Sequence, residues 1–465
     1  MAAETVEMPT RILAADLPDT SAHARRNNRL AVLNGVIGQM GMDFIHPELI
    51  LAGMIYAMTG SALLVALVTL ISKAGMLAPQ LFVSSWVEHL PRKRPFYVWL
   101  MISRGVTCIA LVGSMALLMD GVTGARLAFF FATFTAMCVS MGFSGIVSQE
   151  MLGRMIPIRR IGSFLGTRSL IAGVLATIVG TVVIQPILER VGLPANYVVL
   201  AIIGSILLIM AMAVFAMTHE EDGPRAREQT TLGDSFRRGV AWLKTDPNYR
   251  AYVWLRAGFR VNYLSLAFFI PYGTLRLCAS GSLTSVAALG GIMVATMKLS
   301  RLLTGVAWGA VADRRGFRAC FLWGGVGFVA APLLALAAPW CPETFHLRLP
   351  GTEIVFNLPL VVYLLGLAAV SAACQADVIA GQRFLLGSAP PHRRISYQGF
   401  INTVTSPLTL LPLLGAWLAD AFSITAVFYL TVVGGIGYLI GASRIVPEHE
   451  AMAARDGAVP DDVVA

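Results

Sequence analysis

Gly309-Ala310-Val311-Ala312-Asp313-Arg314-Arg315-Gly316-Phe317-Arg318 closes one long apolar stretch and turns directly into another. A worn copy, Ser84-Ser85-Trp86-Val87-Glu88-His89-Leu90-Pro91-Arg92-Lys93, stands 225 residues earlier when Glu88 is set on Asp313. A polar hinge repeated between apolar stretches implies a membrane protein assembled from two parallel half-molecules.

Composition agrees. Hydrophobic residues make up 56% of the 465 and charged residues 13%, with a mean hydropathy of +0.71. A water-soluble chain of this length would carry far more charge on its surface. The net charge of +9 is spread in short clusters between apolar stretches, which is the pattern of membrane topology and not of a nucleic-acid surface. No zinc-ligand spacing occurs, so neither metal nor other cofactor is expected. The six cysteines are scattered through apolar sequence and read as small buried hydrophobes.

A helix that crosses a bilayer needs about 20 mainly apolar residues. Twelve such spans are predicted: 30–51, 61–87, 96–118, 125–150, 163–188, 194–217, 251–276, 283–309, 317–339, 354–385, 396–419 and 422–444. Lys and Arg concentrate on one side, as Arg92, Lys93 and Arg94, then Arg154, Arg159, Arg160 and Arg168, then Arg314, Arg315 and Arg318, then Arg383, Arg393 and Arg394. The other side has only Arg126, Arg190, Arg276 and Arg348. The bias places the rich side, and both termini, in the cytoplasm.

Two further echoes support the repeat. Pro157-Ile158-Arg159-Arg160-Ile161 matches Pro391-His392-Arg393-Arg394-Ile395 at an offset of 234, and Phe44-Ile45 matches Phe269-Ile270 at 225. The expected organisation is a cytoplasmic tail (1–28), a six-helix bundle (29–217), a central cytoplasmic segment (218–250), a second bundle (251–445) and a cytoplasmic tail (446–465) that reads as disordered. Within the central segment Leu232, Phe236, Val240 and Leu243 recur at helical spacing. They predict an amphipathic helix on the inner membrane surface, with a flexible linker as the alternative.

Gly309, Asp313, Arg314, Gly316 and Arg318 match the hinge signature G-x-x-x-D-R-x-G-x-R, and with the twelve spans and the repeat the chain resembles the major facilitator superfamily over about residues 29–445. The resemblance implies an all-α membrane fold of twelve transmembrane helices in two pseudo-symmetric six-helix bundles. It further implies a monomeric secondary transporter that works by alternating access. The first-half copy departs from the signature, with Ser84 for glycine, Glu88 for aspartate, His89 for arginine and Pro91 for the second glycine. Gating is expected from Ser84, Glu88, Arg92, Lys93 and Glu150 in the first half. In the second half it is expected from Gly309, Asp313, Arg314, Gly316 and Arg318. An acid near a helix N-terminus is stabilised by the unpaired N–H groups there. On that basis Asp313 is expected at the start of the eleventh span, and Arg92 beside Glu150.

Few charges lie deep in the apolar stretches. Lys73 and Lys298 each stand 15 residues before their hinge acid, roughly 22 Å along a helix, and are symmetry mates. With Arg260 they are candidates for binding an anion, the alternative being that each lysine is neutralised within its own half. Asp43 and Glu48 flank His46 and Pro47 in the first span. Either carboxyl could carry a coupling proton or serve as a fixed counter-ion for Lys73. Asp377 is a partner for Lys298 or Arg301, and Arg104 reads as structural. The glycines of the fifth span (Gly162, Gly166, Gly173, Gly180) predict close packing against another helix.

None of the four lysines follows a glycine, so a G-x-x-x-x-G-K-[ST] phosphate-binding loop is missing and an ATP-driven pump contained in this chain is not expected. The chain is expected to move a small polar organic solute, tilted towards an anion, across the cytoplasmic membrane with lipid around it and a proton as coupling ion. An exporter of amphipathic, drug-like compounds is the rival. A receptor or scaffold built on a transporter fold is the reading from another class, and an enzyme is not expected.

Overall fold

The computed structural model describes residues 22–220, 231–278, 286–348, 355–390, 392–448 and 450. Twelve helical spans run through them. The first six are Ala22–Phe44 continued by Ala52–Thr59, Ala62–Leu77 continued by Gln80–Val87, Arg94–Met119, Gly124–Met155, Ile161–Val179 continued by Gln185–Arg190, and Ala195–Ala216. The seventh is Pro247–Leu264 continued by Leu266–Gly273. The eighth and ninth share one helical run, Val286–Ala337, broken at Gly316. The last three are Leu358–Ser388, Arg394–Thr405 continued by Leu411–Ala421, and Ile424–Arg444.

Among the described residues nine helices are long and apolar enough to cross a membrane, one of them holding both the eighth and ninth spans. The two spans outside that set are the first and the seventh, which the repeat sets on each other. Both carry charges and a proline. Pro47 opens a π-helical turn, Pro47–Leu51, and Pro271 sits inside the helix of the seventh. Proline removes a backbone donor and crowds the preceding turn; the first span breaks just before Pro47, whereas the seventh is interrupted at Ser265, ahead of the turn that holds Pro271.

Gly316 explains its own place in the hinge. Its φ of 77° and ψ of 177° lie where a side chain would be strained, and glycine alone enters that region freely. The chain reverses there, and the ninth span begins at Phe317. Gly309 has a different task. A Cβ on it would come within 2.5 Å of the Gly162 carbonyl, and one on Gly166 within 2.6 Å of the Gly305 carbonyl. The glycine face of the fifth span therefore packs on the eighth, backbone against backbone, as its spacing predicts.

Between the halves, Leu232–Thr245 forms the expected helix, opened by a capping box between Thr231 and Asp234. Its protein-facing side is centred on Gly239, where a Cβ would strike the Phe400 ring, and on Trp242, packed edge-on to Tyr249 and tilted against Tyr397. Leu232 and Phe236 stay exposed, so the helix is docked on the bundle ends as well as presenting an apolar edge.

Several boundaries differ from the sequence reading. The first span begins at Ala22, inside the stretch read as a tail, and Asn27 is bonded to His219; residues 1–21 of that tail fall outside the described residues. Val355–Phe356 pairs with Leu347–Arg348 as a short hairpin, and Asn357 caps a tenth span that starts at Leu358. Glu448, placed by sequence in a disordered tail, is held by Arg383 at 2.8 Å. The rest of that expectation, for residue 449 and residues 451–465, falls outside the described residues.

Candidate functional site

Each hinge acid caps a helix of the opposite half. Asp313 accepts from the Gly162 N–H (3.0 Å) and the Ser163 N–H (2.8 Å), and from the Ser163 hydroxyl. Arg383 holds it from the tenth span at 2.8 Å. Glu88 accepts from the Ser396 N–H (2.6 Å) and hydroxyl (2.8 Å), with Arg393 at 3.3 Å. Ser396 stands 234 residues after Gly162, the offset that relates Pro157 to Pro391. The two docks are thus copies of one arrangement. They correct one expectation: Asp313 reaches the start of the fifth span, and Glu88 that of the eleventh. An acid on the second or eighth span can reach only the helix packed against it, and those neighbours are the eleventh and fifth.

The extra methylene of Glu88 is used. Gly399 brings the eleventh span onto the Gln80–Leu81 backbone, with a notional Cβ 3.1 Å away, and the longer acid reaches Ser396 from there. Loss of water pushes the Glu88 carboxyl above the ordinary carboxylate range, against the lowering effects of the Ser396 bonds and Arg393. Pro91 takes no part in a reversal like that of Gly316. Lys93 closes this turn instead, its ammonium donating to the carbonyls of Val87 (2.5 Å), Glu88 (3.1 Å) and Leu90 (2.7 Å). Burial, then the neighbouring Arg154, lowers the Lys93 pKa to about 8. The Lys93 and Arg94 N–H groups donate to Glu220.

Glu150 takes Arg154 at 3.0 Å and not Arg92, because both lie on one helix a single turn apart; Arg92 is exposed. Arg314 is also exposed. Arg318 donates to the Ser443 carbonyl at 3.2 Å, tying the ninth span to the end of the twelfth. The Ser84 side chain lies outside the described set.

The deep lysines converge on the first span, and both act on His46. Both lean on acids of the first span: Lys73 on Glu48 at 2.8 Å, within the first half, and Lys298 on Asp43 at 3.8 Å, across the halves. Asp43 also receives Gln39 at 3.3 Å, while its second carboxylate oxygen is buried without a hydrogen bond. Arg260 lies by the Phe259 ring. Asp377 corrects another expectation, since it pairs with Arg256 and accepts from the Tyr438 hydroxyl at 2.9 Å. Arg104 is buried and donates to Ser140 and Ser144 of the fourth span.

A cavity of about 410 Å³ lies between the halves, walled by the first, fourth, fifth, sixth, eighth and tenth spans. Of the predicted binding residues only Lys298 lines it; Lys73 and Arg260 do not. Its other cations are Arg168 and Arg301, and its polar lining is otherwise amide and hydroxyl: Asn34, Gln39, Ser148, Gln149, Ser169, Gln375 and Gln382. Among the described residues no acid lines it. Arg168, a loop charge by sequence, is instead a wall residue. It stands four and eight residues before Ala172 and Ala176, which share its wall, and that helical spacing beside the glycine face was the signal available.

No protein-family model and no curated protein sequence matches this chain. Solved structures do. A bacterial homologue of the iron transporter ferroportin in an outward-facing state superposes with a TM-score of 0.69 at 12% identity, covering 90% of this chain and 99% of that one. The major facilitator superfamily proton:xylose symporter XylE gives 0.62 at 10%, covering 92% and 96%. The human organic anion transporter MFSD10 gives 0.64 at 14%, covering 92% and 100%. At such identities the likeness shows the fold.

Proposed function

We propose that this chain, which has the major facilitator fold, is a secondary transporter of a small polar solute. Its two six-helix halves, 29–217 and 251–445, rock about the central cavity in a cytoplasmic membrane, with both termini inside. One observation carries the reading: two copies of an acid-to-helix dock, Glu88 on Ser396 and Asp313 on Gly162–Ser163, tie opposite halves together. A dock built once would suit a static scaffold. Two related by the repeat, beneath one polar cavity, suit a pair of latches that release together. Lys93 and Gly316 shape the latch turns, and Gly309 sets the packing distance. The rival exporter of amphipathic compounds fits less well, because among the described residues Phe215 is the one aromatic residue in the cavity wall.

The test needs no known substrate. Spin labels at Arg160→Cys and Arg315→Cys, exposed on opposite halves beside the latches, go into protein whose native cysteines are serine. Two interconverting distance populations are expected. One fixed distance that survives loss of both latch acids would replace transport with a scaffold role.

Proton coupling is assigned to the carboxyl whose charge spans the halves, Asp43, with Glu48 held as the fixed partner of Lys73. The groups facing Asp43 are Gln39, Lys298 and His46, with Glu48 and Lys73 just beyond. Protonation of Asp43 removes its attraction for Lys298. In a Glu88→Gln background, which silences the latch carboxyl, the two populations should still respond to pH, and Asp43→Asn should abolish that response. An unchanged response would take Asp43 out of the coupling role.

A further inference from the structure

We infer that the central cavity takes a small organic dianion, a dicarboxylate or phosphate monoester, gripped by Arg168 and Arg301 with Lys298 beside them. The inference rests on the transport reading for the steps after binding.

Charge balance leads to it. Arg168 comes from the fifth span, and Lys298 and Arg301 from the eighth, one turn apart and on one face. Among the described residues neither arginine has an acid within ion-pair distance. Lys298 alone is offset, by Asp43 at 3.8 Å. Two positive charges therefore stand over the cavity uncompensated, in walls of low polarisability where unpaired charge is costly. A ligand with two negative charges neutralises them.

The residue types fit that ligand. A guanidinium presents a planar fork of donors that matches carboxylate or phosphate oxygens two at a time. Arg168 crosses the first span at Gly35, where any Cβ would collide with its guanidinium, so the glycine is the slot that lets the arginine reach the cavity. Gln149, Gln375 and Gln382 add amide donors around it, and Gln375 is aimed by its bond to Ser169 at 3.0 Å. The volume of about 410 Å³ is near the lower end for ligand pockets, which suits a compact solute. Because the arginines belong to different halves, one dianion would bridge them.

Two measurements test this on the full chain. Ser148→Cys, on the cavity wall and outside the cationic group, is placed in the cysteine-free background. It is then modified with an anionic methanethiosulfonate (the sulfonatoethyl reagent) or a cationic one (the trimethylammonioethyl reagent). Normalised to a free thiol, the anionic reagent should react at least about tenfold faster, and Arg168→Gln or Arg301→Gln should each erase most of that preference. A ratio at or below that of the free thiol overturns the inference.

The second measurement is thermal stabilisation of the unlabelled protein by succinate, glycerol 3-phosphate or xylose. Either dianion should stabilise it, with apparent affinity lowered about tenfold or more in Arg168→Gln. Succinate alone assigns a carboxylate and glycerol 3-phosphate alone a phosphate ester. Stabilisation by neither dianion, or by xylose in their place, defeats it. Exchange between the spin-label distances is scored without ligand, so the transport reading stands or falls separately.

Discussion

Glu88→Ala opens the latch side of the protein: the population with the long Arg160–Arg315 label distance should rise by about a hundredfold relative to the short one. The substitution takes the acceptor from the Ser396 N–H and hydroxyl and removes the carboxylate that faces the buried Arg393 guanidinium. Removing one member of a buried ion pair costs roughly 3–5 kcal/mol. Each 1.4 kcal/mol is about a factor of ten in an equilibrium constant. Because the docked form alone contains these contacts, the loss falls on that form. Asp313→Ala should act in the same direction through Gly162, Ser163 and Arg383. Glu88→Gln should act in the same direction but less strongly, since its amide oxygen still accepts from the Ser396 N–H while the charge facing Arg393 is lost.

The pH dependence of this latch has a fixed sign. Burial raises the Glu88 pKa in the docked form, whereas an undocked Glu88 in water titrates in its ordinary range. The docked form therefore binds the proton more tightly, and acidification through the interval between the two values favours docking. Alkaline solution above that interval leaves only the difference between the ionised forms. A latch that loosens on acidification, in protein carrying Asp43→Asn so that the deep carboxyl is silent, would contradict this account.

Asp377→Ala should be the most destabilising single change in the second half. Asp377 is fully buried in the tenth span, pairs with Arg256 of the seventh and accepts from Tyr438 of the twelfth. It joins three helices through one carboxylate. Truncation strands the Arg256 guanidinium, and a loss of about 3–5 kcal/mol is expected, read as a large fall in apparent melting temperature. The double variant Asp377→Leu with Arg256→Met should recover most of it, because both charges are then gone and the volume is refilled. If the double variant melts no higher than Asp377→Ala, packing and not the stranded charge is the cause.

The deep charges show how far a sequence reading carries. Lys73 and Lys298 are found by counting from the hinges, and their depth follows from helix rise alone. Their partners do not follow. In a helix that is apolar all round, periodicity does not say which face meets a neighbour. Symmetry pairs the lysines with each other but does not give their acids: both lean on the first span, because Asp43 and Glu48 lie there and the repeat has no acid at the matching places, Phe268 and Gly273. Arg168 escapes the sequence reading for a related reason. It falls inside the predicted fifth span, 163–188, next to the basic cluster of the preceding loop, and linear order does not say that its face of the helix meets the cavity.

The chain's own letters determined the solvent, the twelve spans, the internal repeat and the positions of the hinges, because hydropathy, Lys and Arg bias and glycine act locally and leave marks in linear order. The tertiary structure decided which helix end each hinge acid caps, which acid answers each lysine and which cations border the cavity. Those are outcomes of rotation and neighbour choice among helices, and they are set by side chains far apart in sequence meeting across the two halves.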